Sequence, residues 1–91
     1  MANILTEAEA LAALRLETKA DCPNFDMLMS AVDDGIQSET GYDWTTDEII
    51  DPTAKLVASI LLVCLHDGTE LPAAYRYKIV QLDAKAKVAA E

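Results

Sequence analysis

Cys64 and His66 are the closest approach this sequence makes to a nucleophile beside a base, and His66 is its single histidine. A nucleophilic dyad needs its two side chains within hydrogen-bond reach. Residues two apart on a helix point to different faces, so this pair does not meet. His66 instead suits the negative end of its own helix. The acids Asp43, Asp47, Glu48 and Asp51 could gather a hard cation, but they lack the ligand order and the glycine of a calcium-binding loop. Asp33-Asp34-Gly35 reads as helix surface, and no glycine-rich phosphate loop occurs. The expectation is therefore no catalytic residue, no metal ligand and no cofactor, which leaves binding and assembly.

Charge supports that direction. The 91 residues carry a net charge of −9, unevenly spread. Residues 1–70 hold three basic residues against fourteen acidic ones, whereas residues 71–91 hold four basic against two acidic. An acidic body does not grip DNA phosphates by charge. The polarity suits head-to-tail packing of copies, or a basic segment docking on an acidic partner; it also describes a solvated body with an ordinary lysine-bearing last helix. In that segment Tyr75 and Tyr77 alternate with Arg76 and Lys78, and Lys85 and Lys87 follow. Aromatic and arginine side chains are the usual interface anchors, while lysines mainly steer encounter, so these six are the candidate partner-binding residues. Cys22 and Cys64 form no CxxC pair, and no charged leader precedes Ile4-Leu5, so both thiols are expected reduced in a cytoplasmic product.

Four helical segments would position these groups. The first opens with a capping box, Thr6 to Glu9, and should fade near Thr18. Pro23 suits the first turn of the second, with Cys22 or Asp21 at its cap, and Phe25, Leu28, Met29, Val32 and Ile36 form its core stripe. Gly35 suggests a close helix–helix approach, and Gly41 a left-handed stop. Residues 42–51 form a longer loop than most helix–helix connections. Either Trp44 and Ile49 fold back to cap the core, or Tyr42 and Trp44 are contact anchors for another chain. Asp51-Pro52 starts the third helix, which stops at Gly68. Leu71-Pro72 starts the fourth, with Tyr75, Ile79, Leu82 and Ala86 as its stripe. Residues 83–91 read as a basic tail that fits a strand alternation as well as a weak helix.

The third helix dominates. Nine of the ten residues Leu56 to Leu65 are apolar, and they cover every face. Such a helix must be buried all round. It is too short and too closely flanked by Lys55, His66 and Asp67 to cross a membrane. The 52% hydrophobic fraction includes fifteen alanines, leaving little large apolar area for one chain to wrap it. Burial against neighbouring copies is the remaining route, with Leu56, Val57, Ile60, Leu61, Val63 and Cys64 as the packing residues.

The order of segments resembles the head–tail connector (adaptor) proteins of tailed bacteriophages, also described as DNA-packaging proteins. It runs from Leu5-Thr6 through Glu9-Ala10, Leu11 and Leu14-Arg15-Leu16 to Glu39-Thr40-Gly41-Tyr42. Pro52 then leads into Lys55-Leu56, and Leu71-Pro72 precedes the last helix. The resemblance covers about residues 4–82. It departs where the apolar helix ends in Cys64-Leu65-His66-Asp67-Gly68. It implies a single all-helical virion domain, a bundle of about four helices that assembles as a ring of about twelve copies beneath the portal. The ring would extend the DNA channel without binding DNA specifically and would receive the stopper or tail-completion protein. Two alternatives stand beside it: a stopper or tail-completion protein, whose only candidate closing segment is the 42–51 loop, and a small acidic regulatory binder such as a DNA mimic.

Overall fold

The computed structural model describes residues 3–46 and 49–90, with side chains to Val88. Among them are four helices and no strand: α1 (Glu7–Leu14), α2 (Phe25–Thr40), α3 (Pro52–Asp67) and α4 (Ala73–Ala90). Short 3-10 turns occupy Lys19–Asp21 and Trp44–Thr46.

The capping box of α1 forms as the sequence predicts. The Thr6 hydroxyl accepts from the Glu9 amide at 3.1 Å, and the Glu9 carboxylate accepts from the Thr6 amide at 2.9 Å. The helix ends well before Thr18, however. Arg15 takes the left-handed conformation (φ 59°), its amide donates to the Ala12 carbonyl, and the Leu16 amide donates to the Leu11 carbonyl at 2.9 Å. This is the Schellman pattern, formed here without glycine, and Leu11 and Leu16 both pack on the core beneath it.

The start of α2 also differs from expectation. It begins at Phe25 with Asn24 at the cap, not in the Pro23 turn. The Asn24 side-chain oxygen is occupied by the Cys22 thiol at 3.3 Å, and the Phe25 amide turns back to the Cys22 carbonyl at 3.1 Å. The expected stripe Phe25, Leu28, Met29, Val32 and Ile36 is buried, and Gly41 closes the helix at φ 71°. Gly35 marks a close approach: a Cβ there would stand 3.3 Å from Leu61 Cδ2 on α3. Asp33, read as helix surface, turns out to tether the chain's beginning. Its carboxylate accepts from the Asn3 side-chain amide at 2.6 Å and from the Ile4 backbone amide at 3.1 Å, which holds Ile4 and Leu5 in the core. Desolvation pushes the Asp33 carboxyl up, against the pull of those two donors.

α3 is built as expected at both ends. Asp51 caps it by accepting from the Thr53 amide at 2.7 Å, Pro52 occupies the first turn, and Gly68 ends it in the left-handed region. Its surroundings correct the sequence reading. α1, α2 and α4 all pack against it, and Ala54, Val57, Ala58, Leu61 and Leu62 are buried within one chain. The alanines make this possible. Ala10, Ala54, Ala58 and Ala86 are buried on three different helices, so the axes can approach closely enough for α1, α2 and α4 to enclose the central one. What remains open is a seam. Leu56 and Leu65 are 45% and 43% exposed, and Ile60, Val63 and Cys64 are half-buried.

α4 runs unbroken to Ala90, so of the two conformations open to residues 83–90, strand or helix, the helix forms. The alternation Ala84-Lys85-Ala86-Lys87 proves to be helical because Ala86 is on the buried stripe with Tyr75 and Leu82, and Ile79 packs beside them.

The core account predicts a contrast at two apolar positions. Leu62→Ala should lower unfolding free energy by about 2–5 kcal/mol, whereas Ile49→Ala should change it by less than about 0.5 kcal/mol. Leu62 is fully buried and Ile49 is 85% exposed. Urea denaturation followed by circular dichroism measures both.

Candidate interaction surface

The 42–51 segment and α4 hold most of the residues singled out for partner contact, and the structure divides them sharply. Trp44 is buried at 4% exposure, and its indole N–H donates to the Thr40 hydroxyl at 3.1 Å. The same hydroxyl donates to the Ile36 carbonyl at 2.9 Å, so Trp44 is fastened to the last turn of α2. Trp44 is a core residue, not a contact anchor. Its size and single polar atom are both satisfied inside the chain. Tyr42 packs edge-on against it, with ring centroids 4.6 Å apart, and stays half-buried. Ile49, expected to help cap the core, is exposed, and Ile50 packs on the core in its place. Asp47 and Glu48 lie outside the described residues.

The six candidates on α4 do not share a face. Tyr75 is buried, and burial together with the Glu39 charge raises its hydroxyl above 10.0. Lys78 is half-buried and donates to Gln81 at 3.5 Å. Lys85 donates to both oxygens of Asp51 at 3.3 Å and to the Thr53 hydroxyl at 3.1 Å, which staples α4 to the start of α3. Lys87 pairs with Asp83 one turn away at 3.4 Å. Only Arg76 and Tyr77 point outward without an ion pair or hydrogen bond to a described residue, and Tyr77 is 74% exposed.

Around Tyr77 lies a feature the sequence reading missed. Ala73, Tyr77, Val80, Ala84 and Val88 recur at helical spacing on the side of α4 opposite Tyr75, Ile79, Leu82 and Ala86. All five are exposed, with Val80 at 67% and Val88 at 73%. α4 is thus apolar on two opposed faces, and among the described residues only one of them is buried against the rest of the chain. The outer stripe starts beside a shallow hollow lined by Arg76 and Gln81. Its other end, at Val88, reaches a second hollow that Tyr42, Ile49 and Ile50 also line. The spacing was there to be read; assigning a single stripe to this helix concealed it.

No family model, curated protein or solved structure matches this chain.

The residues weighed for chemistry are engaged elsewhere. Cys64 Sγ approaches the Glu70 carbonyl at 3.6 Å, and His66 Nδ1 approaches Asp67 at 2.9 Å, so thiol and imidazole have separate partners. Cys22 and Cys64 are free thiols. Asp43 accepts from the amide and the hydroxyl of Thr45. Among the described residues no group of three or more potential metal ligands gathers, and no helix is long and apolar enough to cross a membrane.

Asp51 gives this region its pH dependence. Partial burial pushes its carboxyl up, but the Thr53 amide and the Lys85 ammonium outweigh that and hold it below its ordinary 3.8. A depressed carboxyl stabilises the fold above its unfolded value and loses that contribution as pH falls through the folded one. Asp51→Ala should therefore cost about 1–2 kcal/mol near neutral pH, where cap and staple are both lost, and progressively less as pH falls below 3.8. Urea midpoints of both proteins across that range test it.

Proposed function

We propose that this chain is a structural subunit that assembles into an adaptor ring in the head–tail connector of a tailed bacteriophage. The observation that carries the reading is the outer apolar stripe of α4. The bundle closes its own core and still keeps Tyr77, Val80 and Val88 in water, and apolar surface that the fold does not use marks an association site. The choice of assembly rests on the order of segments, which resembles that of connector proteins. The ring extends the channel beneath the portal and receives the stopper or tail-completion protein. Its acidic body lets DNA pass without holding it, because like charges do not adhere.

The stopper alternative is less well supported. It needs a free segment to close the channel, and Trp44 fastens the described part of the 42–51 loop to α2. A DNA mimic would display carboxylates along one rigid face, whereas here Glu9, Asp33, Asp51 and Asp83 are engaged by groups of the chain itself.

Light scattering on the purified chain, alone and mixed with the portal protein encoded in the same genome, tests the reading. The expected outcome is a discrete closed oligomer of about twelve copies, formed alone or on portal. A monomer at every concentration under both conditions contradicts it.

A further inference from the structure

Resting on the reading of the chain as an assembling subunit, we infer that the outer stripe of α4 is one half of the subunit joint and that the outer face of α2 in a second copy is the other half.

The two helices carry opposite charge. α4 holds Arg76, Lys78, Lys85 and Lys87 against the single acid Asp83, while α2 holds Asp26, Asp33, Asp34 and Glu39 and no basic residue. The charges left free by the chain lie beside the apolar positions. Arg76 borders Tyr77 and Val80 and has no carboxylate partner among the described residues. On α2, the side away from the core presents Met27, which is 72% exposed, with Ser30, Ala31, Asp34 and Ser38. Asp34 has no cationic partner among the described residues. Lys19 is paired with Asp26 of this helix at 3.3 Å.

Shape agrees with charge. Ala31, Ser30 and Ser38 leave a low surface along α2, onto which the protruding Tyr77 and Val80 can settle at close helix–helix distance. Pairing α4 with α4 of another copy would set against each other two helices that each carry four basic residues and one acid. Each half of the joint lies opposite its own helix's buried stripe, so the faces are distinct patches of one molecule. A joint between distinct patches is heterologous: each copy accepts one neighbour and offers itself to the next, which closes a ring or extends a filament.

The test blocks one half at a time. Val80→Asp places a carboxylate in the α4 stripe, and Ala31→Lys places a cation on the α2 face. Both positions are exposed on helix surfaces, so far-ultraviolet circular dichroism should show unchanged helix content. Sedimentation velocity on each purified full chain should show self-association weakened about tenfold or more relative to the parent. An equimolar mixture should form at least a one-to-one pair, because each variant keeps the half that the other has lost, and the remaining joint sets the introduced carboxylate against the introduced cation. Parent-like assembly by both variants would overturn this joint while leaving assembly intact. Loss of assembly by Val80→Asp alone, with Ala31→Lys unaffected, would overturn α2 as the occupant. Two variants that fail singly and give no pair on mixing would overturn the heterologous arrangement. A parent chain that stays monomeric alone and with portal would overturn the assembling reading itself.

Discussion

The structure depends on how closely its helices can approach α3. A helix with Val57, Leu61 and Leu62 on one side and Leu56, Ile60 and Val63 on the other has no face that water suits, and among the described residues three helices, α1, α2 and α4, are there to cover it. Bulky neighbours would hold those helices at ordinary spacing and leave gaps between them. Instead Ala54 and Ala58 on α3 are fully buried, Ala10 of α1 and Ala86 of α4 are equally enclosed, and Gly35 of α2 lets Leu61 come within van der Waals reach. Small residues supply proximity, not area. The larger side chains then fill the spaces that proximity creates, with Ile4, Val32, Ile36 and Leu82 fully buried around the central helix.

That arrangement explains why the sequence was legible in its parts and misleading as a whole. Helix boundaries fixed by local chemistry were readable: the Thr6–Glu9 box, Asp51-Pro52, Gly41 and Gly68 each act through their own backbone neighbours. Boundaries fixed by competition were not. Arg15 takes a conformation usually left to glycine because Leu11 and Leu16 gain core contact by it, and Asn24 gives its side-chain oxygen to Cys22. Counting alanines as lost area led to a core that only other copies could complete, because area adds up along a sequence and helix spacing does not. Trp44 was open to two readings until Thr40, a residue with no special signal, supplied the acceptor that draws the indole inward.

The candidate surface shows the same limit. Tyr75, Arg76, Tyr77 and Lys78 are adjacent in sequence, yet a helix distributes four consecutive residues over all its faces, so one is core, one is half-buried and two point outward. Lys85 looked like part of a docking tail, but it closes the bundle against Asp51. Opposed apolar stripes on one helix largely cancel in any single-stripe reading, which is why Val80 and Val88 escaped notice. A helix used on both sides serves the core with one and is free to serve a neighbour with the other. Fold and association are then separable. The joint proposed on α4 can be tuned by Arg76, Tyr77 and Val80 without loosening the packing around α3.

This separation makes the account directly measurable by amide hydrogen exchange on the chain at low and high concentration. If one chain closes its own core, the α3 amides should be protected equally in both, with added protection at high concentration confined to surface-exposed helices, α4 foremost. Unprotected α3 amides in the dilute chain, becoming protected only on association, would contradict the account and return the central helix to its neighbours.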